Sequence, residues 1–363
     1  MAQLEQVDIR TAPTNLNRED VMQQIVDISR IPLPFMDAIG RSSHSNTKFE
    51  WSADRLADPD TTNAVIDGST APTPASAPAV RLGNYGQIAQ KTVGTSTRVE
   101  SSNNVGNEGL ARQIQKATQE LQRDMEAILL SNQANRADTG TGGVAGLTAG
   151  LEAWVDDSTI QQTPVTKSPQ CFIDLSTGGI SIGGWTNRTG EIIPAVDYSS
   201  VSAVNALTFE AVKDVFDALY QLGGDPTVMM ARPAVIRKFS EFMFGSTAPV
   251  STLYRNKNED GPASAQAAVN VLHSDYGITV KMVPNRLMQL SGDGSPDSDT
   301  LFIMDPTYLA VSFQGGGIRS KELPVSGLAR AVQIHADFGL VVKSPDTVGA
   351  VFGIDSSAAV TAT

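Results

Sequence analysis

Residues 108–135 read EGLARQIQKATQELQRDMEAILLSNQAN. Leu110, Ile114, Ala117, Leu121, Met125 and Ile128 recur at spacings of three and four, which places them on one face of an α-helix. Arg112, Lys116, Glu120, Arg123, Asp124 and Glu126 fall mostly on the other faces. Asn107 is a candidate N-cap, Glu108 suits the positive end of the helix dipole, and Gly140, Gly142 and Gly143 are expected to end the element. At about 1.5 Å per residue the rod would run about 40 Å, longer than an ordinary globular helix. A rod of this kind spans a whole domain face, with an extended arm before it and a compact body after it.

Working upstream, Thr47, Phe49, Trp51 and Ala53 alternate with Lys48, Glu50, Ser52 and Asp54, the pattern of a half-buried strand. A second extended run covers 81–98. Between them ADPDTTNAVIDGSTAPTPASAPA is too rich in Pro, Thr, Ala and Asp for a helix. The expectation is a long two-stranded loop with an irregular tip. Its legs carry opposite charge: Lys48 and Arg55 stand against Glu50, Asp54, Asp58, Asp60 and Asp67 on the first, while Arg81, Lys91 and Arg98 face no acid on the second. Such legs hold each other or a neighbouring subunit. A loop of about fifty residues with no core of its own belongs on a neighbour more than in a compact monomer. Residues 1–45 read as an arm, with a helical segment near 18–29 and an extended piece at Ile31–Phe35 broken by Pro32 and Pro34.

Downstream, TGTGGVAG at 139–146 follows a helix instead of preceding one, so it is a hinge and not a phosphate loop. Residues 156–200 look like an insertion of loops and short strands; Cys171, beside Phe172 and Ile173, reads as a small core residue. Thr208 caps a helix to Leu222 that Gly223 stops, with Val212, Val215, Phe216 and Leu219 inside. A short strand at 228–231 leads to a helix opened by Pro233. Strands are expected at 278–283, 301–304 and 308–313. Then Val332, Ile334, Ala336, Phe338, Leu340 and Val342 occupy every second position, a long strand with one buried face, and 348–354 closes with another. The order describes an α+β unit with an antiparallel or mixed sheet.

Composition narrows the function. The net charge of -12 over 363 residues argues against tight phosphate binding. One cysteine excludes an intrachain disulfide framework, MAQLEQVDIR is not a signal peptide, and no apolar run is long enough to span a membrane. His44, His273 and His335 lie outside metal-ligand spacing, and no H-E-x-x-H or P-loop occurs. No catalytic residue, metal or cofactor is expected.

The order of parts resembles the major capsid proteins of tailed bacteriophages, with the Hong Kong 97-type fold. FEWSADRLADPDTTNAVIDG, LQRDMEAILLSNQA, VLHSDYGITVKMVPNRLM, LFIMDPTYLAVSF and IHADFGLVVKSPDTVGAVFGI look like a podophage-type branch of that family and come in its order. The resemblance implies an N-terminal arm (1–45), an extended β-hairpin loop (46–105), a long spine helix with peripheral domain (106–149), an axial domain (150–313) with an insertion near 156–200, peripheral-domain strands returning to the axial core (314–355), and a tail (356–363). It further implies hexamers and pentamers in an icosahedral or prolate head that encloses double-stranded DNA without sequence-specific binding. The implied partners are a separate scaffolding protein, a portal protein and, in some members, a decoration protein. The chain would be made in the host cytoplasm and end in the virion, with no membrane involved. Phe49, Trp51, Asp54, Arg55, Arg81, Lys91 and Arg98 are the candidate intersubunit contacts. Lys48 and Lys91 are the loop lysines available for crosslinking, but no motif assigns them that role. The competing readings are an encapsulin-like nanocompartment shell, a tail or decoration protein, and an enzyme of unknown type.

Overall fold

The computed structural model describes residues 32–54, 59–71, 79–101, 109–140, 143–155, 172–174, 179–181, 206–244, 271–274, 276–288, 298–324, 327–355 and 357. Arg55, Cys171, the helix expected near 18–29 and most of the 156–200 insertion lie outside them. Helices and strands mix in the expected α+β manner around two main sheets.

The long helix is real but shorter than its sequence suggests. It runs Leu110–Leu130, 21 residues, or about 31 Å. Asn107 and Glu108 lie outside the described residues; Gly109 is the N-cap, without a side-chain bond. The glycines do not end it. Ser131 does, in extended backbone, with its hydroxyl and N–H both returned to Ile128 O at 2.8 and 3.2 Å. Gly150 packs directly against this exit: a Cβ on it would sit 2.0 Å from Ser131 O. The glycine-bearing stretch that follows forms a loop closed by paired backbone bonds between Arg136 and Leu147.

The strand Ala329–Val342 is the axis of the first sheet. On one side it pairs antiparallel with Gln87–Ser96, and on the other with Leu309–Gln314 and Arg319–Glu322. Val332, Ile334, Ala336, Phe338 and Leu340, the alternating apolar set, are all buried. They share one core with Ala117, Leu121, Met125 and Leu129 of the long helix. At about 1.5–3 kcal/mol per fully buried large side chain, this seam is the main apolar reason that helix and sheet stay together.

The second sheet is seven-stranded and mixed. Its order runs Gly179–Ser181, Phe172–Asp174, Val348–Asp355, Ser298–Met304, Val228–Ala231, Thr279–Pro284 and Val271–His273. Val348–Asp355 is buried at seven of its eight positions, as a central strand requires. Helix Phe209–Gln221 packs on this sheet with Val212, Val215, Phe216 and Leu219 inside. Thr208 Oγ1 accepts the N–H of Ala211, and Gly223 leaves the helix at φ 86°. Pro233–Phe244 is the second helix of this unit.

Three segments differ from their sequence reading. Pro34–Ala38 is a short helix, not extended chain, because Pro34 takes the first helical position, where its fixed φ suits the turn. Phe35, Met36 and Ile39 are buried, so this end of the arm joins the core of its own chain. Gly40–His44, with no apolar alternation, is an edge strand that pairs parallel with Leu309–Gln314. The extended run 81–98 is broken: among the described residues Val80–Tyr85 pairs with Lys48–Ala53 alone, Gln87–Ser96 joins the main sheet, and Thr97–Ser101 is helical. Gly86 lies between the hairpin's own two-stranded sheet and the sheet of the long strand.

Candidate functional site

The hairpin Lys48–Ala53/Val80–Tyr85 is the element without a body of its own, and its root is where distant segments converge. Trp51 donates its indole N–H to Val342 O at 3.0 Å, and its ring lies 5.6 Å from that of the buried Trp154. Phe49 stacks between His44 at 4.6 Å and Trp51 at 6.0 Å. It lies over Gly339 so closely that a Cβ there would come within 2.6 Å of its ring. The candidate contacts Phe49 and Trp51 are thus packed against their own chain.

Asn84 is fully buried beside them and uses its whole amide. Oδ1 accepts from Ala149 N at 3.0 Å and from Tyr85 N at 2.8 Å; Nδ2 donates to Leu340 O at 2.8 Å and Ala149 O at 3.4 Å. One side chain therefore ties the hairpin, the main strand and the segment after the long helix.

The charged candidates separate into two groups. Arg81 reaches Glu50 across the hairpin at 3.5 Å, and Lys48 meets the same carboxylate at 2.8 Å. The Lys48 hydrogen bond, with the charges of Lys48 and Arg81, lowers the pKa of Glu50 against the smaller effect of desolvation. The two legs are to this extent bound to each other. Lys91 is turned inward to the long helix, 2.8 Å from Asp124 and 3.9 Å from Glu120. Asp54 and Arg98 are exposed.

A second convergence escaped the sequence reading. Glu126 sits on the long helix, among residues assigned to the solvent side, yet is fully buried. Its two oxygens accept the N–H groups of Phe35 at 2.7 Å and Met36 at 2.9 Å, and Asn285 Nδ2 donates to it at 2.8 Å. Burial raises its pKa above the ordinary carboxylate value, outweighing the three donors that favour the charged form; Asp37 adds a smaller push in the same direction. The available signal was Leu129 and Leu130, three and four residues on, which mark the same face as buried.

The described part of the hairpin tip, 59–71, is ordered by local turns and exposed at every residue. Asp60 Oδ1 accepts from both N and Oγ1 of Thr62 at 2.8 and 2.6 Å, and Ser69 N donates to Ile66 O at 3.0 Å across a turn with Gly68 at φ 80°. Val65 and Ile66 stand 75% and 83% exposed on this turn-rich tip. Among the described residues no group of three or more His, Cys, Asp or Glu is placed to hold a metal ion, and no helix is long and apolar enough to cross a membrane.

The hairpin is thus anchored at its root by Trp51 and Asn84 and carries Val65 and Ile66 exposed at its tip. The family profile of the SU10 major capsid protein matches residues 8–355. The chain belongs to that family. The major capsid protein of Escherichia phage Phieco32 is 25% identical over 332 residues, covering 88% of this chain and 89% of that protein. Among solved structures, the capsid of a native GTA particle superposes with a TM-score of 0.57 at 12% identity, over 95% of this chain and 98% of that one. The holo-SrpI encapsulin complex of Synechococcus elongatus PCC 7942 gives 0.50 at 11%, over 96% and 95%. These likenesses give the fold as the Hong Kong 97 type. The protein is a structural component of a phage capsid, not an enzyme.

Proposed function

We propose that this chain builds the closed head of a tailed phage as hexamers and pentamers around double-stranded DNA. The single observation that carries the arrangement is the hairpin: its root is fixed by Trp51 and Asn84, while its described tip, 59–71, is exposed at every residue. A segment ordered by turns yet burying nothing on its own chain is built to lie on another copy. With Phe49 and Trp51 packed internally, the contact to a neighbour falls to Val65, Ile66 and the exposed charges, including Asp54, Arg81 and Arg98.

The sheet centred on Ala329–Val342, with the long helix, is the peripheral domain, and the seven-stranded sheet is the axial domain. In this division Leu309–Gln314 goes with the peripheral sheet, since it pairs with the long strand. A net charge of -12 suits a wall that encloses DNA without adhering to it. Assembly uses a separate scaffolding protein and a portal, with a decoration protein as an optional partner, and takes place in the host cytoplasm.

The test is to express the chain alone and with a scaffolding protein encoded beside it, and to examine both by negative-stain electron microscopy. Closed shells with the scaffold, and capsomers or irregular shells without it, are expected. A monomer or small ring under both conditions overturns the assembly reading. Closed shells that load protein cargo and exclude DNA would transfer the chain to the nanocompartment class.

A further inference from the structure

Where the hairpin turns into the main sheet, three polar side chains from distant strands meet under one glycine. His44 Nδ1 lies 2.8 Å from Ser312 Oγ, and His44 Nε2 faces Asp337 Oδ1 at 3.8 Å. The two side chains are 3% and 18% exposed, and both facing atoms are buried without a hydrogen-bond partner. Gly86 closes over them. A Cβ there would meet Asp337 Oδ1 at 2.7 Å and His44 Nε2 at 3.2 Å, and its N–H donates to Thr47 O at 2.7 Å. Phe49 of the hairpin stacks on the imidazole at 4.6 Å.

We infer that His44 and Asp337 form a proton-operated latch that fixes the root of the hairpin to the main sheet. A neutral imidazole has one N–H. If Nδ1 carries it toward Ser312, Nε2 turns a lone pair on the carboxylate oxygen, and the contact is repulsive. If Nε2 carries it, the Ser312 hydroxyl donates to Nδ1 and an uncharged N–H faces the carboxylate 3.8 Å away, beyond hydrogen-bond length, with no full charge to draw the two together. The imidazolium keeps Nδ1–H on the hydroxyl and adds a full positive charge beside Asp337, which draws the carboxylate from 3.8 Å toward a charge-assisted bond. The latch therefore closes when the imidazole takes up a proton and opens when it loses it.

Among the described residues no other charged side chain is paired with His44 or Asp337. Asp337 faces His44 from the long strand, uncharged Ser312 from the neighbouring strand, and Phe49 from the hairpin. Lys48 and Glu50 are paired with each other at 2.8 Å. His335 and Arg319 stand in register with each other, two residues along the long strand from Asp337. Arg41, three residues back on the strand of His44, alternates to its opposite face.

The position gives the latch its effect. Gly86 is the pivot between the hairpin's own two-stranded sheet and the main sheet, so tightening beneath it stiffens the angle at which the hairpin leaves the body. The experiment is hydrogen exchange of amides 82–90 in the purified full-length chain at about pH 5.5 and about pH 8, corrected for intrinsic exchange. Wild type is expected to be about tenfold more protected at the lower pH, the change that one charge-assisted bond of about 1.4 kcal/mol produces. Asp337→Asn and His44→Phe, which keeps the stack on Phe49, should each show equal protection at both pH values. No pH effect in wild type, or one that persists in either folded variant, overturns the latch.

Discussion

Replacing Glu126 with alanine tests whether one buried carboxylate clips the arm to the long helix. The change leaves the N–H groups of Phe35 and Met36 without an acceptor and leaves the amide of Asn285 only the weak Met230 sulfur at 3.5 Å. Each buried donor so abandoned costs about 1–3 kcal/mol, and removing a desolvated carboxylate returns part of that loss. The net expectation is about 2–4 kcal/mol of lost stability, read as a lower denaturant midpoint of the unassembled chain. Hydrogen exchange supplies the local readout, because the Phe35 and Met36 amides should lose their protection. Glutamine keeps one acceptor but turns its NH₂ on one of the backbone donors, so Glu126→Gln should fall between wild type and alanine. The pH dependence has a definite sign. Burial raises the folded pKa above the unfolded value of 4.5, so the group's stabilising contribution is complete below that value and is lost as pH rises through the folded pKa. The stability difference between wild type and Glu126→Gln should therefore move in favour of wild type as pH falls. A loss under about 0.5 kcal/mol in the alanine variant, with both amides still protected, would refute the clip.

Four further substitutions probe the hairpin root, the helix exit and the ion pairs of the long helix. Asn84→Asp should destabilise by about 2 kcal/mol or more, since a carboxylate cannot donate to Leu340 O and would face it as a buried charge; thermal unfolding measures it. Gly150→Ala should be worse than Gly339→Ala in soluble yield and melting temperature: the first puts a Cβ against the backbone oxygen of Ser131, the second against the movable ring of Phe49. Lys91→Ala should cost under about 1 kcal/mol, and less at high salt, because its pairs with Asp124 and Glu120 are partly exposed; a salt series of unfolding curves checks it.

What could be read from sequence had a local cause. Val332 to Val342 alternate because one face of that strand meets the long helix, and Thr208, Pro233 and Gly223 mark helix ends through their own backbone chemistry. Glu126 was illegible for the opposite reason: its partners come from residues 90, 91 and 159 positions away, and without them a buried carboxylate is an error. Asn84 shares a strand face with buried Leu82, but nothing local says its amide will be fully used. Gly40–His44 and Arg319–Glu322 have no apolar period, and exist because the edges of a neighbouring strand accept them. The break at Gly86 is hidden because extended backbone runs on both sides of it; only the choice of partner strand changes there.

The polar anchors at the hairpin root divide the energetics of folding from those of assembly. Trp51, Asn84 and Phe49 are bonded or packed to the body, so the root belongs to the fold of the monomer. No described residue from 59 to 71 is buried, so the tip contributes to stability only when another copy covers it. Changing both Val65 and Ile66 to serine should therefore leave the unfolding midpoint of the free chain within about 0.5 kcal/mol of wild type. Assembly should respond differently. Burying an exposed branched side chain gives about 1.5–3 kcal/mol, so losing two removes about 3 kcal/mol per subunit. That corresponds to a rise of about a hundredfold in the concentration at which shells form. Light scattering against protein concentration, with the scaffold present, reads that threshold. Equal thresholds in the two proteins would mean that the tip is not buried in the shell. A lowered unfolding midpoint would mean that the tip packs on its own chain after all, and either result breaks the separation drawn here between a root that folds and a tip that assembles.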